Sequence, residues 1–312
     1  MKTIGLVGAR GHTGRELIRL LAGREDLKLG FAVSRAMDGQ PVTDMASEAP
    51  AGLLFEALSP EEVAKRQCDG VILAMPNGQA APYVDAIEAV KPDTVIVDLS
   101  ADYRFDDSWI YGLPELYGRE VLRGATRISN PGCYATAGQL AVAPMRDVLE
   151  GPAHLFGVSG YSGAGTTPNR RNDIEALKDN LMPYALMGHI HEREMSRHLG
   201  HDVRFTPHVA AFFRGIVLTA QMEFSRVVGM DEFRAAYETA YGNQPLTRLQ
   251  DEAPEVIEGA TNPGAVLGGF ALSEDGRRGV MVCALDNLLK GAAVQAMQNL
   301  CLGLELPEFE PR

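Results

Sequence analysis

The sequence predicts an α/β protein in two parts: a doubly wound parallel sheet first, then an α+β domain with a mixed or antiparallel sheet. Three observations carry this. Short, continuous apolar runs alternate with helical patterns through the first half. After about Leu149 the texture changes to long strand-like stretches separated by turns. The chain has 312 residues, a length that suggests about two domains and is ample to bury a core.

The elements follow in order. "TIGLVG" reads as a short strand, and "GRELIRLLAG" as a helix with Leu17, Ile18 and Leu21 on one face. "LKLGFAVSR" and "CDGVILAMP" are further strands, "AAPYVDAIEAV" a helix and "DTVIVDLS" a strand. These strands are apolar throughout rather than alternating, as in parallel sheets covered on both faces by right-handed βαβ crossovers. In the second half, "HLFGVSGYSGAGTTPNRR" is a strand with a glycine-rich exit, and "HIHEREMSRHL" has helical spacing. "DVRFTPHVAAFFRGIVLTAQMEFSRV" reads as two long strands in a hairpin-type link, and "RGVMVCALDN" as another strand. The last segment, "NLLKGAAVQAMQNLCLGL", reads as an amphipathic helix that packs back on the first domain. The expected boundaries are 1–148, completed by 287–312, and 149–286.

Formal charge is 29 − 41 = −12. With no basic stripe, nucleic acid is not an expected partner. Such a field also repels anions in general, so any anion site must be built locally from backbone N–H groups and a few arginines. No window approaches the ~20 apolar residues of a membrane helix, and the first apolar run breaks into glycines and charges too early for a signal peptide. The four cysteines, Cys68, Cys133, Cys283 and Cys301, show no C-x-x-C spacing, which fits a reducing cytoplasm.

"GLVGARGHTGREL" places Gly8, Gly11 and Gly14 between the first strand and the first helix. Glycines there permit a tight turn and let a pyrophosphate approach the helix N-terminus, so the first domain is expected to be of the Rossmann type. The alternative is a plain turn in a doubly wound sheet. The second strand ends in Ser34 and Arg35 where an NAD site would carry an acidic residue; a hydroxyl and a guanidinium suit a 2′-phosphate, hence NADP(H).

"SNPGCYATAGQL" sets Cys133 between a Pro-Gly turn and a helix. A cysteine there is either a small buried packing residue or a nucleophile whose thiolate the helix N-terminus favours. A base could come from "GHIHEREMSRHLGH", which holds His189, His191, His198 and His201. On a helix, His191 shares a face with Glu194 and Met195, and a carboxylate at i+3 can orient an imidazole. The cluster has neither H-E-x-x-H nor a cysteine pair, so no metal site is expected. A solvated polar face is the competing reading.

The loop "GARGHTG", then "DLSADYRF", "YGLPELY", "SNPGCYAT", "SGYSGAG", "HIHEREM", "FTPHVAAFFRGI" and "DNLLKGAAVQAMQ" span nearly the whole chain. In that order they resemble the N-acetyl-γ-glutamyl-phosphate reductases of arginine biosynthesis, relatives of aspartate-semialdehyde dehydrogenase. The resemblance implies NADPH-dependent reduction of a small acyl phosphate through a thioester on Cys133, with His191 as acid/base and Glu194 as its nearby carboxylate. It implies cofactor contacts from Gly8, Arg10, Gly11, His12, Thr13, Gly14, Ser34, Arg35, Pro76, Ser162, Gly163 and Asn287. Arg104 is expected on the leaving phosphate, Arg214 on the substrate α-carboxylate, and Asn130 also on the substrate. A homodimer or homotetramer is implied. The family's His-Arg-His-Thr-Pro-Glu departs here to His189-Ile190-His191-Glu192-Arg193-Glu194, so the arginine between the histidines is missing. The alternatives are a carrier-protein-linked substrate, aspartate-semialdehyde dehydrogenase, and a non-catalytic NADP-binding regulator. An acidic carrier would need a basic docking face, which the net charge disfavours.

Overall fold

The computed structural model describes residues 1–309. They divide into two compact units, Met1–Pro131 with Ala292–Phe309, and Gly132–Gly291.

The first unit runs β1 (Lys2–Val7), α1 (His12–Ala22), β2 (Leu27–Val33), β3 (Phe55–Glu56), α2 (Pro60–Lys65), β4 (Gly70–Leu73), α3 (Ala81–Val90), β5 (Val95–Asp98), β6 (Ile110–Tyr111), α4 (Pro114–Tyr117) and β7 (Arg127–Ser129). Among the described residues these strands form one seven-stranded sheet, ordered β3-β2-β1-β4-β5-β7-β6, with every neighbouring pair parallel. Every residue of β4 and β5 is buried, as their continuous apolar runs require. On one face Val63, Val84 and Ile87 of α2 and α3 pack on Phe31, Val71 and Leu73. On the other lie Leu17, Ile18 and Leu21 of α1, each at most 1% exposed, and the C-terminal helix Val294–Gly303. Strand order reverses between β1 and β4, which opens the crevice outside their carboxyl ends where such sheets bind ligands.

The C-terminal helix is not the amphipathic element its sequence suggests: all ten of its residues are buried. Its polar side chains satisfy one another and the first unit. Gln295 donates to Gln298 at 2.9 Å, Gln298 donates to Glu308 at 2.6 Å, and Asn299 donates to the Gly112 carbonyl at 3.0 Å. Buried amides are tolerated when paired in this way.

The second unit runs α5 (Cys133–Val142), β8 (Ala153–Gly160), α6 (Ile174–Leu177), β9 (Leu181–Pro183), α7 (Ile190–Leu199), β10 (Val203–Ala210), β11 (Ile216–Glu223), α8 (Met230–Tyr241), β12 (Thr247–Leu249), α9 (Val256–Gly259), β13 (Ala265–Leu272) and β14 (Arg278–Leu285). Its sheet, again seven-stranded among the described residues, is ordered β12-β13-β14-β11-β8-β10-β9. It is mixed: β8/β10 and β12/β13 are parallel, and the other pairs antiparallel. The hairpin expected from β10 and β11 does not form, because β8 lies between them. Residues 211–215 straddle the exit of β8 instead. Gly160 N–H donates to Gly215 O at 2.9 Å, and the N–H groups of Tyr161 and Ser162 donate to Phe212 O and Phe213 O, each at 3.0 Å.

Candidate active site

Each unit carries its share of the expected residues. In the first, the three loop glycines are glycine for three different reasons. Gly8 turns the chain off β1 at φ +82, and a Cβ there would lie 2.4 Å from the Ala74 carbonyl oxygen. A Cβ on Gly14 would lie 2.0 Å from the Ala9 carbonyl oxygen, so this glycine seats α1 on the loop. Gly11 has an ordinary φ of −74°, and a Cβ there would meet nothing within 4 Å. Packing explains the first and third glycines; the second leaves open space at the start of α1, where a close-approaching ligand explains it. Gly11 also leaves the α1 N-terminus without a side-chain cap, as an anion-accepting helix start requires. His12 and Thr13 open that helix, half-buried, and Arg10 is exposed beside them.

At the end of β2, Ser34 is 6% exposed and its Oγ has no hydrogen-bond partner, while Arg35 after it is exposed. An orphaned buried hydroxyl beside an exposed guanidinium fits the ribose end of a dinucleotide. Pro76 is exposed just past β4. The residues present therefore fit the cofactor.

Arg104 and Asn130 are both held by neighbouring backbone groups. Arg104 is 7% exposed. Its Nε donates to Asn130 O at 2.9 Å and a terminal nitrogen donates to Leu99 O at 2.8 Å, tying the ends of β5 and β7 together. Asn130, expected on the substrate, is 1% exposed and engaged at both ends. Its Nδ2 donates to Ala292 O at 3.3 Å, and its Oδ1 accepts from Asn299 at 2.9 Å. It supports the turn from inside.

In the second unit, Cys133 is the first residue of α5 and is half-buried, whereas every other residue of that helix is buried. Cys68, Cys283 and Cys301 are buried, and burial pushes the last two thiols up to about 12 and about 11. The α5 N-cap, Gly132, supplies no side-chain cap, and no acid sits in the first turn, so the positive end of the helix faces the thiol. Gly291 lets the following chain approach closely: a Cβ there would stand 2.7 Å from Cys133 Cβ.

Two helices hold α5. From α8, Tyr237 and Tyr241 donate to the carbonyls of Ala141 and Leu140 at its far end. From α7, fully buried Glu194 accepts the Gly132 N–H at 2.8 Å. Gly138 makes this possible, since a Cβ there would strike Met195 Sδ at 2.2 Å. So α7 does bring His191, Glu194 and Met195 to one side. Glu194 clamps the turn before the cysteine, a contact no sequence signal indicates because it joins residues 62 apart.

His191 lies edge-on to Tyr134, with centroids 6.2 Å apart, and 4.8 Å from the His189 ring. His189 is the N-cap of α7 rather than part of it, its Nδ1 accepting the His191 N–H at 3.1 Å. Burial, and secondarily the Arg171 charge, lower the His189 pKa to about 4, so the ring is neutral near pH 7 and can accept. Arg193 and Arg197, which follow the histidine motif's missing arginine, are exposed on α7. Arg171 instead lies 4.9 Å over the Tyr184 ring, and Tyr184 is 5.6 Å from His189.

Three further expected residues meet. Asn287 Nδ2 donates to Ser162 Oγ at 2.9 Å, and its Oδ1 accepts Gly215 N–H at 2.8 Å. Gly163 sits beside them, where a Cβ would lie 3.1 Å from Ser159 Oγ. Arg214 pairs through Nε with fully buried Asp286. Among the described residues no group of three or more His, Cys, Asp or Glu could hold a metal ion, and no helix is long and apolar enough to cross a membrane.

Comparison with known proteins gives the family. Residues 3–125 match the semialdehyde dehydrogenase NAD-binding domain, and 133–287 the semialdehyde dehydrogenase dimerisation domain. The N-acetyl-gamma-glutamyl-phosphate reductase of Stenotrophomonas maltophilia is 56% identical over 98% of this chain and 96% of its own. That of Xanthomonas campestris is 53% identical over 98% and 97%. Among solved structures, aspartate semialdehyde dehydrogenase II from Vibrio cholerae superposes with a TM-score of 0.77 over 98% of this chain and 99% of its own, at 17% identity. The Candida albicans aspartate semialdehyde dehydrogenase with NADP gives 0.74 over 98% and 99%, at 13%. Those two likenesses concern the fold. The identities, by contrast, settle the kinship: this chain belongs to the N-acetyl-gamma-glutamyl-phosphate reductases, within the semialdehyde dehydrogenase family.

Proposed function

We propose that the protein reduces N-acetyl-L-glutamyl 5-phosphate to N-acetyl-L-glutamate 5-semialdehyde with NADPH, releasing phosphate, as a step of arginine biosynthesis. The observation that carries this reading is the clamp of Glu194 on the Gly132 N–H, which ties the helix bearing His191 to the turn presenting Cys133.

Cys133 Sγ attacks the acyl carbon as a thiolate, with His191 taking the thiol proton. The carbon–oxygen bond to phosphate breaks and its electron pair leaves with the phosphate, giving a thioester. When bound, the nicotinamide cofactor supplies a hydride ion for the thioester carbonyl carbon. First-turn N–H groups of α5 and protonated His191 stabilise the oxygen anion that develops on this carbon. Collapse of the thiohemiacetal releases the aldehyde and returns the thiolate.

The glycine loop with Arg10, His12 and Thr13 holds the pyrophosphate, and Ser34 and Arg35 hold the ribose 2′-phosphate that selects NADP over NAD. Pro76, Ser162, Gly163 and Asn287 shape the nicotinamide end. Arg104 meets the leaving phosphate and Arg214 the carboxylate end of the substrate. The division of labour follows the two units, with cofactor binding in Met1–Pro131 and Ala292–Phe309 and catalysis and association in Gly132–Gly291, which moves Cys133 out of the expected 1–148 domain. The scattered cysteines favour a cytoplasmic home. The working form is a homodimer or homotetramer associating through the second sheet.

The test is the reverse reaction: N-acetylglutamate semialdehyde, NADP⁺ and phosphate, followed by NADPH absorbance. Turnover is expected in the parent and at least a thousandfold less in Cys133→Ser, the scale at which loss of a covalent nucleophile is felt (~10³ or more). NADPH binding without turnover on any semialdehyde would exclude the enzyme. Cofactor choice is read separately by exchanging NADP⁺ for NAD⁺ in the parent and in Arg35→Asp.

A further inference from the structure

The substrate proposed above is an anion at both ends, and the chain carries a net charge of −12, so its carboxylate needs a local cation. Arg214 brings little net charge, because the fully buried carboxylate of Asp286 already pairs with it. The face of the second unit that carries His189 and His191 holds another guanidinium. Arg171 lies 4.9 Å over the centroid of Tyr184. From Tyr184 a run of rings leads back toward the nucleophile: 5.6 Å to His189, then 6.5 Å to Tyr134, the residue after Cys133. Electrostatics agrees with that placement. Burial raises the Tyr184 pKa most; the Cys133 charge raises it further and Arg171 opposes, so the phenol senses both groups.

The segment carrying Arg171 is pre-set. Asn169 accepts the Arg171 N–H at 3.0 Å, and Asn172 Oδ1 accepts the Asn169 N–H at 2.8 Å. Asn169 and Asn172 side chains also donate to Thr167 O, at 2.8 and 2.9 Å. Tyr184 is fastened to the sheet by its N–H on Pro207 O at 3.2 Å. An exposed arginine held at the backbone and stacked on an aromatic face loses less freedom on pairing than a loose one.

We propose that Arg171, seated on Tyr184, recognises the α-carboxylate of the acyl substrate together with Arg214 and is a specificity-determining residue for that carboxylate. The inference rests on the function proposed above. It gives the chain a guanidinium whose charge reaches His189, the residue before Ile190. The reacting carbonyl carbon and the α-carboxylate carbon are on the order of 5 Å apart in an extended five-carbon acyl chain. Between Arg171 and Tyr134 lie the rings of Tyr184 and His189, in successive steps of 4.9, 5.6 and 6.5 Å, along which such a chain would lie.

The test compares two aldehydes in the NADP⁺- and phosphate-dependent reverse reaction: N-acetylglutamate semialdehyde, and 4-acetamidobutanal, which is the same molecule without its carboxylate. Arg171→Ala is expected to raise KM for the first by about 10- to 100-fold, the scale of a lost charge-assisted pair, with kcat within about threefold. Its kcat/KM for the second should stay within twofold of the parent, and Arg171→Lys should recover part of the loss. An unchanged KM for the semialdehyde in Arg171→Ala, or an equal loss on both aldehydes, overturns the assignment while leaving the enzyme reading intact. A parent that turns over neither aldehyde removes the enzyme reading, and this assignment with it.

Discussion

Asp98, at the carboxyl end of β5, is fully buried. It accepts Ser100 Oγ–H at 2.6 Å and Ser100 N–H at 3.2 Å. Burial outweighs these bonds and raises its pKa to about 6. A raised folded pKa means that the folded chain holds this proton more tightly than the unfolded one. The contribution to stability is then fully present below about pH 4 and is lost as pH rises through 6. The shift from 3.8 to about 6 corresponds to roughly 3 kcal/mol at most. Trp109, the chain's one tryptophan, is stacked on Tyr103 at 4.0 Å inside the core of the same unit, so its emission reports that unit's unfolding. The difference in urea stability between the parent and Asp98→Asn, read at Trp109, should fall between pH 4 and pH 7 by a large part of that amount. A difference that stays flat over this range would show that Asp98 keeps an ordinary carboxylate pKa.

At the scale of elements, α5, the helix that begins with Cys133, is gripped at both ends, and the grip at its N-terminus is a single buried carboxylate. Glu194→Ala leaves the Gly132 N–H buried without its acceptor, which costs about 1–3 kcal/mol. Glu194→Gln keeps an acceptor oxygen and should retain most of that. If the clamp also sets the turn, the alkylation rate of Cys133 by iodoacetamide should drop several-fold in Ala and much less in Gln. Equal alkylation in all three proteins would reduce Glu194 to a packing role. Much of this architecture was legible beforehand. The parallel strands were visible as unbroken apolar runs, and the periodicity of "HIHEREMSRHL" placed His191, Glu194 and Met195 on one face. What was not legible was non-local. Nothing local in "DVRFTPHVAAFFRGIVLTAQM" shows that β8, some forty residues earlier, lies between its two strands, since strand propensity carries no information on sheet order. The burial of Gln295, Gln298 and Asn299 in a helix that reads as amphipathic is not local either, because their partners, Gly112 and Glu308 among them, lie elsewhere in the chain. Arg171 carries no sequence signature, because a lone arginine in a polar loop has none until the fold brings Tyr184 beneath it.

At the scale of the whole molecule, the second sheet presents two unlike faces. One lies under α5, α7 and α8; the residues pointing to the other alternate with it along the strands, with His154 and Phe156 of β8, Arg204 of β10 and Gln221 of β11 exposed. Phe156 is 44% exposed, its ring 4.4 Å from His208, and half-buried Val158 and Val217 extend the surface on neighbouring strands. An open sheet face with a large aromatic at its centre is the kind of patch that a second copy of the chain would cover. A twofold-symmetric interface contains the substituted position from both copies, so one charge introduced there counts twice. Phe156→Glu is therefore expected to shift the protein, in sedimentation velocity at micromolar concentration, from the oligomer to a species of half the mass or less. Trp109 unfolding in the first unit should not change. Removing Phe156 with little charge change, as in Phe156→Leu, should leave assembly nearly intact, since interfaces tolerate volume change better than an unpaired buried charge. An oligomer that survives Phe156→Glu would move association to another surface of this unit.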